Sequence, residues 1–213
     1  MSQRSDLENL LKRHDIGSYH RDIIVRFLDV LWLRSIETSS HSLRVAQRAA
    51  MIASWRGIQG ARLQSVLQAG LLHDIGKSLI DPIVLRKTGE GEWMDKDTEE
   101  MDRHPEYGWR LLRGVDEFLA AVVIRHHRFG PRPYPHDIPP LPVELVLRED
   151  DIEEFARIIA FADTYDALMT RPGNARFPAL SVEDRRKTYR KLNPGQDEFI
   201  ACLEREGVIT FKK

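Results

Sequence analysis

The sequence predicts an all-α fold, and three observations carry that prediction. Apolar residues recur at helical spacing through much of the chain, as in Ile23, Ile24, Phe27, Leu28, Leu31 and Trp32. Alternating apolar and polar residues, the mark of a half-buried strand, are scarce. Six of the eleven prolines fall between Gly130 and Pro142 and mark that stretch as a stiff loop rather than regular structure.

Taken in order, Ser5-Asp6-Leu7-Glu8 reads as a capping box that opens a short helix, with Leu7, Leu10 and Leu11 on one side. A longer helix is predicted from about Tyr19 to Ser35. Residues 1–35 carry no chemistry-bearing pattern and are expected to pack on the core as a lid or a dimerisation surface, with 36–213 as the main domain. In the next helix, Glu37 to Trp55, the residues His41, Val45, Arg48 and Ile52 lie close to one stripe, which puts His41 at the edge of the buried face. Glu37 sits one turn before His41 on the same side.

Arg62 to Asp74 forms a further helix, with Leu63, Val66, Leu67, Gly70 and Leu71 inward. Gly76 supplies its end, since glycine tolerates the left-handed conformation that terminates helices. An irregular stretch is expected through Pro82, Gly89 and Gly91. Asp97-Thr98-Glu99-Glu100 is a second capping-box-like pattern, and Pro105 should break or kink the chain beside His104. Asp116 to His127 is a helix with the pair His126-His127 at its end. Glu149 to Thr170 is a long helix whose stripe runs Ile152, Phe155, Ile159, Ala162, Asp163 and Asp166. Two carboxylates on an apolar face require compensation, because an unpaired buried charge is costly. Helices near Ser181 to Leu192 and Pro194 to Glu206 close the chain.

Composition narrows the function. The 213 residues are 42% hydrophobic and 31% charged, as in a soluble globular protein of one domain or one domain with a small appendage. A formal net charge of -1 argues against a broadly basic surface for extended nucleic acid. One cysteine, Cys202, excludes an intrachain disulfide framework and a multi-thiolate zinc site. No apolar run approaches the roughly 20 residues that span a bilayer, and Met1 to His14 lacks a signal-peptide core, so a cytoplasmic location is expected.

The ligand-type residues on inward faces and helix ends are Glu37, His41, His73, Asp74, His104, His126, His127 and Asp163. Imidazole and carboxylate without thiolate suit iron, manganese, zinc, nickel or cobalt. The set exceeds what one ion needs and points to two or three divalent ions with a bridging carboxylate. Such a centre generates hydroxide at neutral pH and clamps both oxygens of a phosphoryl displacement. His14, His20 and His136 are read as structural.

The order His41, His73-Asp74, Asp163 resembles the HD superfamily of metal-dependent phosphohydrolases. His73-Asp74-Ile75-Gly76-Lys77, His104-Pro105-Glu106-Tyr107-Gly108, His126-His127 and Ala162-Asp163-Thr164-Tyr165-Asp166-Ala167-Leu168 look like its HD-GYP subgroup, from about Glu37 to Arg171. The resemblance implies a compact helical bundle, usually with iron or manganese, that hydrolyses cyclic di-GMP through a metal-bound hydroxide. It also implies ligand roles. His41, His73, Asp74 and Asp163 would hold one ion, and His104, His126 and His127 the second, with Asp74 bridging. Glu37 stands where members with three metals carry an extra carboxylate, and Lys77 would contact the substrate phosphate.

The loop departs from the subgroup. Where members read His-His-Glu, then Asp-Gly, then Gly-Tyr-Pro, this chain reads His126-His127-Arg128-Phe129-Gly130-Pro131-Arg132-Pro133-Tyr134-Pro135. Proline at 133 fixes φ and removes an amide donor. Arg128, Tyr134 and Arg171 are candidate substrate contacts, as is Arg176; Arg132 would add positive charge if it turned inward. Besides cyclic di-GMP hydrolysis, two readings follow: a hydrolase for another nucleotide or phosphate ester, and a degenerate member that binds cyclic di-GMP or a partner without turnover. A homodimer or a protein partner would engage through the N-terminal helices.

Overall fold

The computed structural model describes residues 3–87, 93–170 and 180–212, and all regular structure among them is helical. Helix α1 (Gln3–Arg13) already runs at Gln3, so Ser5 lies inside it rather than at its cap. Helix α2 (Ser18–Arg34) follows, and Leu7, Leu10, Leu11, Ile16, Ile24, Leu28 and Leu31 join these two helices to the common core.

Helix α3 (Ile36–Trp55) starts at Ser35, whose hydroxyl accepts from Thr38 N at 3.1 Å. His41, placed by its stripe at an edge, is instead fully buried beside Val45 and Ile52. Neighbouring helices cover it: a later helix brings Asp163 and Asp166 to the two His41 ring nitrogens, and α4 (Gly60–Leu72) lies so close to α3 that a Cβ on Gly70 would sit 2.7 Å from Ala46 Cα. Small residues at this crossing let two backbones meet and seal His41 between helices.

The stretch after His73 is more regular than the sequence suggests. A 3-10 helix spans Ile75–Leu79 and α5 spans Pro82–Arg86, with Pro82 in the first turn, where a missing N–H costs nothing. Asp81 caps α5 by accepting from Ile83 N at 2.8 Å. Helix α6 (Asp95–Met101) begins two residues before Asp97, which serves as the third helical residue and accepts from Met94 N at 2.8 Å. Helix α7 (His104–Leu112) starts at His104 with Pro105 in its first turn, so the proline begins a helix there.

Helix α8 (Glu117–Val123) is capped by Asp116, which accepts from Leu119 N at 2.9 Å, and it stops before His126-His127. The proline-rich stretch 130–142 has no regular structure and leads through a 3-10 helix, Val143–Arg148, into α9 (Glu149–Thr170). Helix α9 packs against α3, α4 and α8, so its inward stripe faces the histidine-bearing elements. Helices α10 (Val182–Leu192) and α11 (Asp197–Arg205) cover its far side through Tyr189, Ile200 and Leu203. Tyr189 Oη donates to Phe161 O at 3.0 Å. Among the described residues, no helix is long and apolar enough to cross a membrane.

Candidate metal centre

Helix α4 ends at Leu72, His73 keeps helical angles, and Asp74 turns into the bridge region at φ -98° and ψ 8°. This bend lets two adjacent side chains enter one cavity. Gly76 contributes differently from the sequence expectation. It does not take up a left-handed conformation; it sits in the 3-10 helix. A Cβ there would collide with the His104 carbonyl and lie 2.5 Å from Gly108 N. Glycine at 76 therefore lets the start of α7 come against the His73-Asp74 turn. At Gly108 a Cβ would instead meet the Val123 side chain of α8, the helix leading to His126, at 2.9 Å.

Two groups of ligand-type side chains result: His41 with His73 and Asp74, and His104 with His126 and His127. Asp74 faces both. Its Oδ2 lies 3.4 Å from His73 Nε2 and 3.6 Å from His41 Nε2, while Oδ1 lies 3.3 Å from His104 Nε2. Asp163 stands across from it, with Oδ1 2.9 Å from His41 Nε2 and Oδ2 4.0 Å from His127 Nδ1. Lys77 Nζ donates to Asp74 Oδ2 at 2.7 Å.

The other ring nitrogen of four histidines is committed to an oxygen. His73 Nδ1 donates to Gly70 O at 2.8 Å, His104 Nδ1 to Met101 O at 2.6 Å and His126 Nδ1 to Val123 O at 2.6 Å. His41 Nδ1 donates to Asp166 Oδ2 at 2.7 Å. In the neutral ring each bond leaves the lone pair on Nε2, and the Nε2 atoms of His41, His73 and His104 face Asp74. His41 Nε2, His73 Nε2 and Asp74 Oδ1 are buried without a well-formed hydrogen bond. His104 Nε2 and His126 Nε2 face one another at 3.4 Å. Two facing lone pairs repel, and a cation beside them turns that repulsion into coordination. The donor set therefore fits divalent transition metals, with two carboxylates on one side and three imidazoles on the other.

Electrostatics differ between the groups. Burial disfavours charge on His73, but Asp74 and Asp163 outweigh it and raise its pKa above the usual histidine value. Burial also opposes charge on Asp74 and Asp163, yet His73 and Lys77 at Asp74, and His41 at Asp163, hold both well below the usual carboxylate range. Burial dominates in the second group. It lowers His126 to about 4, helped by His73, and with Lys77 it pushes His104 well down. His127 falls well below its usual value through burial and its two histidine neighbours. These shifts favour the neutral ring, the form that metal ligation requires.

The remaining candidates are spread around this centre. Glu37 is exposed in the first turn of α3 and belongs to neither group. The Tyr134 ring stacks on His127, with centroids 4.5 Å apart, and meets His104 edge-on. Arg128 braces its own loop, donating to Pro135 O at 2.9 Å and His136 O at 3.0 Å. Arg132 pairs with Asp102. Arg171 and Arg176 lie outside the described residues. His20 bonds Gln68, away from the centre. Sequence reasoning flagged Asp166 as a carboxylate on an apolar face without finding its partners, which are His41 and Arg44. The available signal was spacing: Arg44 follows His41, and Asp166 follows Asp163, by one helical turn.

A family model described as HD domain matches residues 38–168. The chain belongs to the HD-domain family. The HD-domain match includes both groups of histidines, Asp74 and Asp163. Among curated proteins, the chain is 29% identical over 168 residues to the cyclic di-GMP phosphodiesterase response regulator RpfG of Xanthomonas campestris, covering 76% of this chain and 41% of that protein. It is 31% identical over 168 residues to the 3'3'-cGAMP-specific phosphodiesterase 3 of Vibrio cholerae, covering 76% and 34%. The chain thus spans less than half the length of these relatives, whose names support the HD-GYP subgroup within the family. Among solved structures, the HD domain of the L. monocytogenes phosphodiesterase PgpH shares the fold, with a TM-score of 0.55, 16% identity and 85% of each chain covered.

Proposed function

We propose that this HD domain is a metal-dependent phosphodiesterase that hydrolyses a cyclic dinucleotide, with cyclic di-GMP as the leading substrate. The observation that carries the reading is Asp74, a buried carboxylate whose two oxygens face separate histidine groups. The relatives named as cyclic di-GMP phosphodiesterases support the substrate class.

In this reading His41, His73, Asp74 and Asp163 would hold one ion, iron or manganese, and His104, His126 and His127 would hold a second, with Asp74 available to both. Glu37 is the candidate for a third. Such ions supply a water nucleophile at neutral pH and neutralise charge on the phosphoryl oxygens. Lys77, which donates to Asp74, would orient a phosphate oxygen. Tyr134, whose ring packs on His104 and His127, would contact a substrate base or ribose. Arg171 is retained as a phosphate contact on sequence grounds alone. Dimerisation or partner binding through the N-terminal helices is likewise a proposal from sequence.

A second reading, hydrolysis of a different cyclic dinucleotide, rests on the loop. Arg128 donates into the loop backbone rather than standing as a free cation, and two relatives are named as 3'3'-cGAMP-specific. One experiment tests both. Purified protein is analysed for bound metal, then assayed with cyclic di-GMP, 3'3'-cGAMP, a linear dinucleotide and a generic phosphodiester. Bound metal with cleavage of one cyclic dinucleotide is the expected result. A metal-free protein, or one that binds the dinucleotides without cleaving them, would overturn the enzyme reading.

A further inference from the structure

His41 lies between two carboxylates one helical turn apart on α9. Its Nε2 is 2.9 Å from Asp163 Oδ1, on the cavity side, and its Nδ1 is 2.7 Å from Asp166 Oδ2, on the opposite side. Asp166 is 6% exposed and could not stay ionised there unaided. Arg44, one turn after His41 on α3, grips it with both arms of its guanidinium: Nε to Oδ1 at 2.7 Å and Nη2 to Oδ2 at 2.9 Å. Thr170 Oγ1 adds a weaker bond to Oδ2 at 3.2 Å. The other three oriented histidines, His73, His104 and His126, give their Nδ1 proton to a neutral backbone carbonyl. Among these four, His41 alone is held by a charge.

We infer that Asp166, clamped by Arg44, is a positioning residue that fixes the His41 ring and strengthens it as a metal donor, so that the His41–His73 group binds its ion more tightly. The inference rests on the metal-centre reading above. A carboxylate behind an imidazole locks its tautomer and raises its basicity toward a cation. The placement also argues against a purely structural pair. An ion pair within the α3–α9 contact is no more stabilising than apolar packing of similar volume, whereas Asp166 Oδ2 meets His41 Nδ1, the ring nitrogen opposite the one beside Asp74 and Asp163.

The test uses the full chain, stripped with EDTA and titrated with Mn2+ by calorimetry, with free Mn2+ followed by electron paramagnetic resonance. Wild type is expected to take up at least two equivalents. Asp166→Asn should weaken one equivalent about 10- to 100-fold and leave the other unchanged. Arg44→Gln, at a half-exposed position, should weaken the same equivalent by a smaller factor and decides the matter if Asp166→Asn does not fold. Wild-type affinity in whichever variant folds, or equal weakening of both equivalents, would overturn the positioning role while leaving the metal centre standing. Failure of wild type to bind any Mn2+ would overturn the metal-centre reading itself.

Discussion

At Asp74 the two oxygens look toward different histidines, Oδ2 toward His41 and His73 and Oδ1 toward His104. Loss of that one side chain should therefore empty both groups. Asp74→Ala is expected to bind no stoichiometric metal by elemental analysis and to show background hydrolysis; retention of either would place the centre elsewhere. The residue scale also shows why glycine 76 matters. Because a Cβ there strikes the His104 carbonyl, Gly76→Ala should lose about 1–3 kcal/mol in urea unfolding through overpacking. It should also displace His104 and reduce metal content, which the same elemental analysis reads. The sequence marked Gly76 but misassigned its cause, since a close backbone approach from residue 104 leaves no trace in local spacing.

Among the elements, the long helices were legible because their apolar stripes repeat over several turns, as Ile152, Phe155 and Ile159 do on α9. The 3-10 helix Ile75–Leu79 and the five-residue α5 were not, being too short for a period to emerge. His41 was placed one step too far out because contacts between helices bury it, the close α3–α4 crossing at Gly70 and Ala46 and the carboxylates of α9 on either side of its ring. Capping is testable at this scale. Asp116 accepts from Leu119 N and starts α8, the helix that delivers His126-His127. Asp116→Ala should cost about 1 kcal/mol in denaturant unfolding, with the Mn2+ stoichiometry kept. A loss of metal together with little loss of stability would mean that Asp116 acts on the placement of those histidines rather than on the stability of the helix start.

Across the whole molecule, the ligand-type residues come from α3, the α4 end, α7, the α8 end and α9, so the cavity is where five parts of the chain converge. All of these residues could be listed from sequence, but not their pairing: His41 and Asp166 are 125 positions apart, and nothing local announces that they touch. A buried cluster with unpartnered Nε2 atoms should be less stable without its ions. Adding Mn2+ to EDTA-stripped protein should raise the thermal midpoint, and at about a hundred times the dissociation constant the gain approaches about 2.7 kcal/mol. An unchanged midpoint in differential scanning fluorimetry would count against metal at this site. One further consequence comes from the seam at Gly76 and Gly108, where main chain meets main chain with no side chain between. The joint between the two histidine groups behaves as a weld rather than a spring. Swapping one ion for a larger one cannot be absorbed by repacking at that joint, so the adjustment falls on rings and carboxylates, and selectivity among ions becomes a matter of how far those side chains can swing.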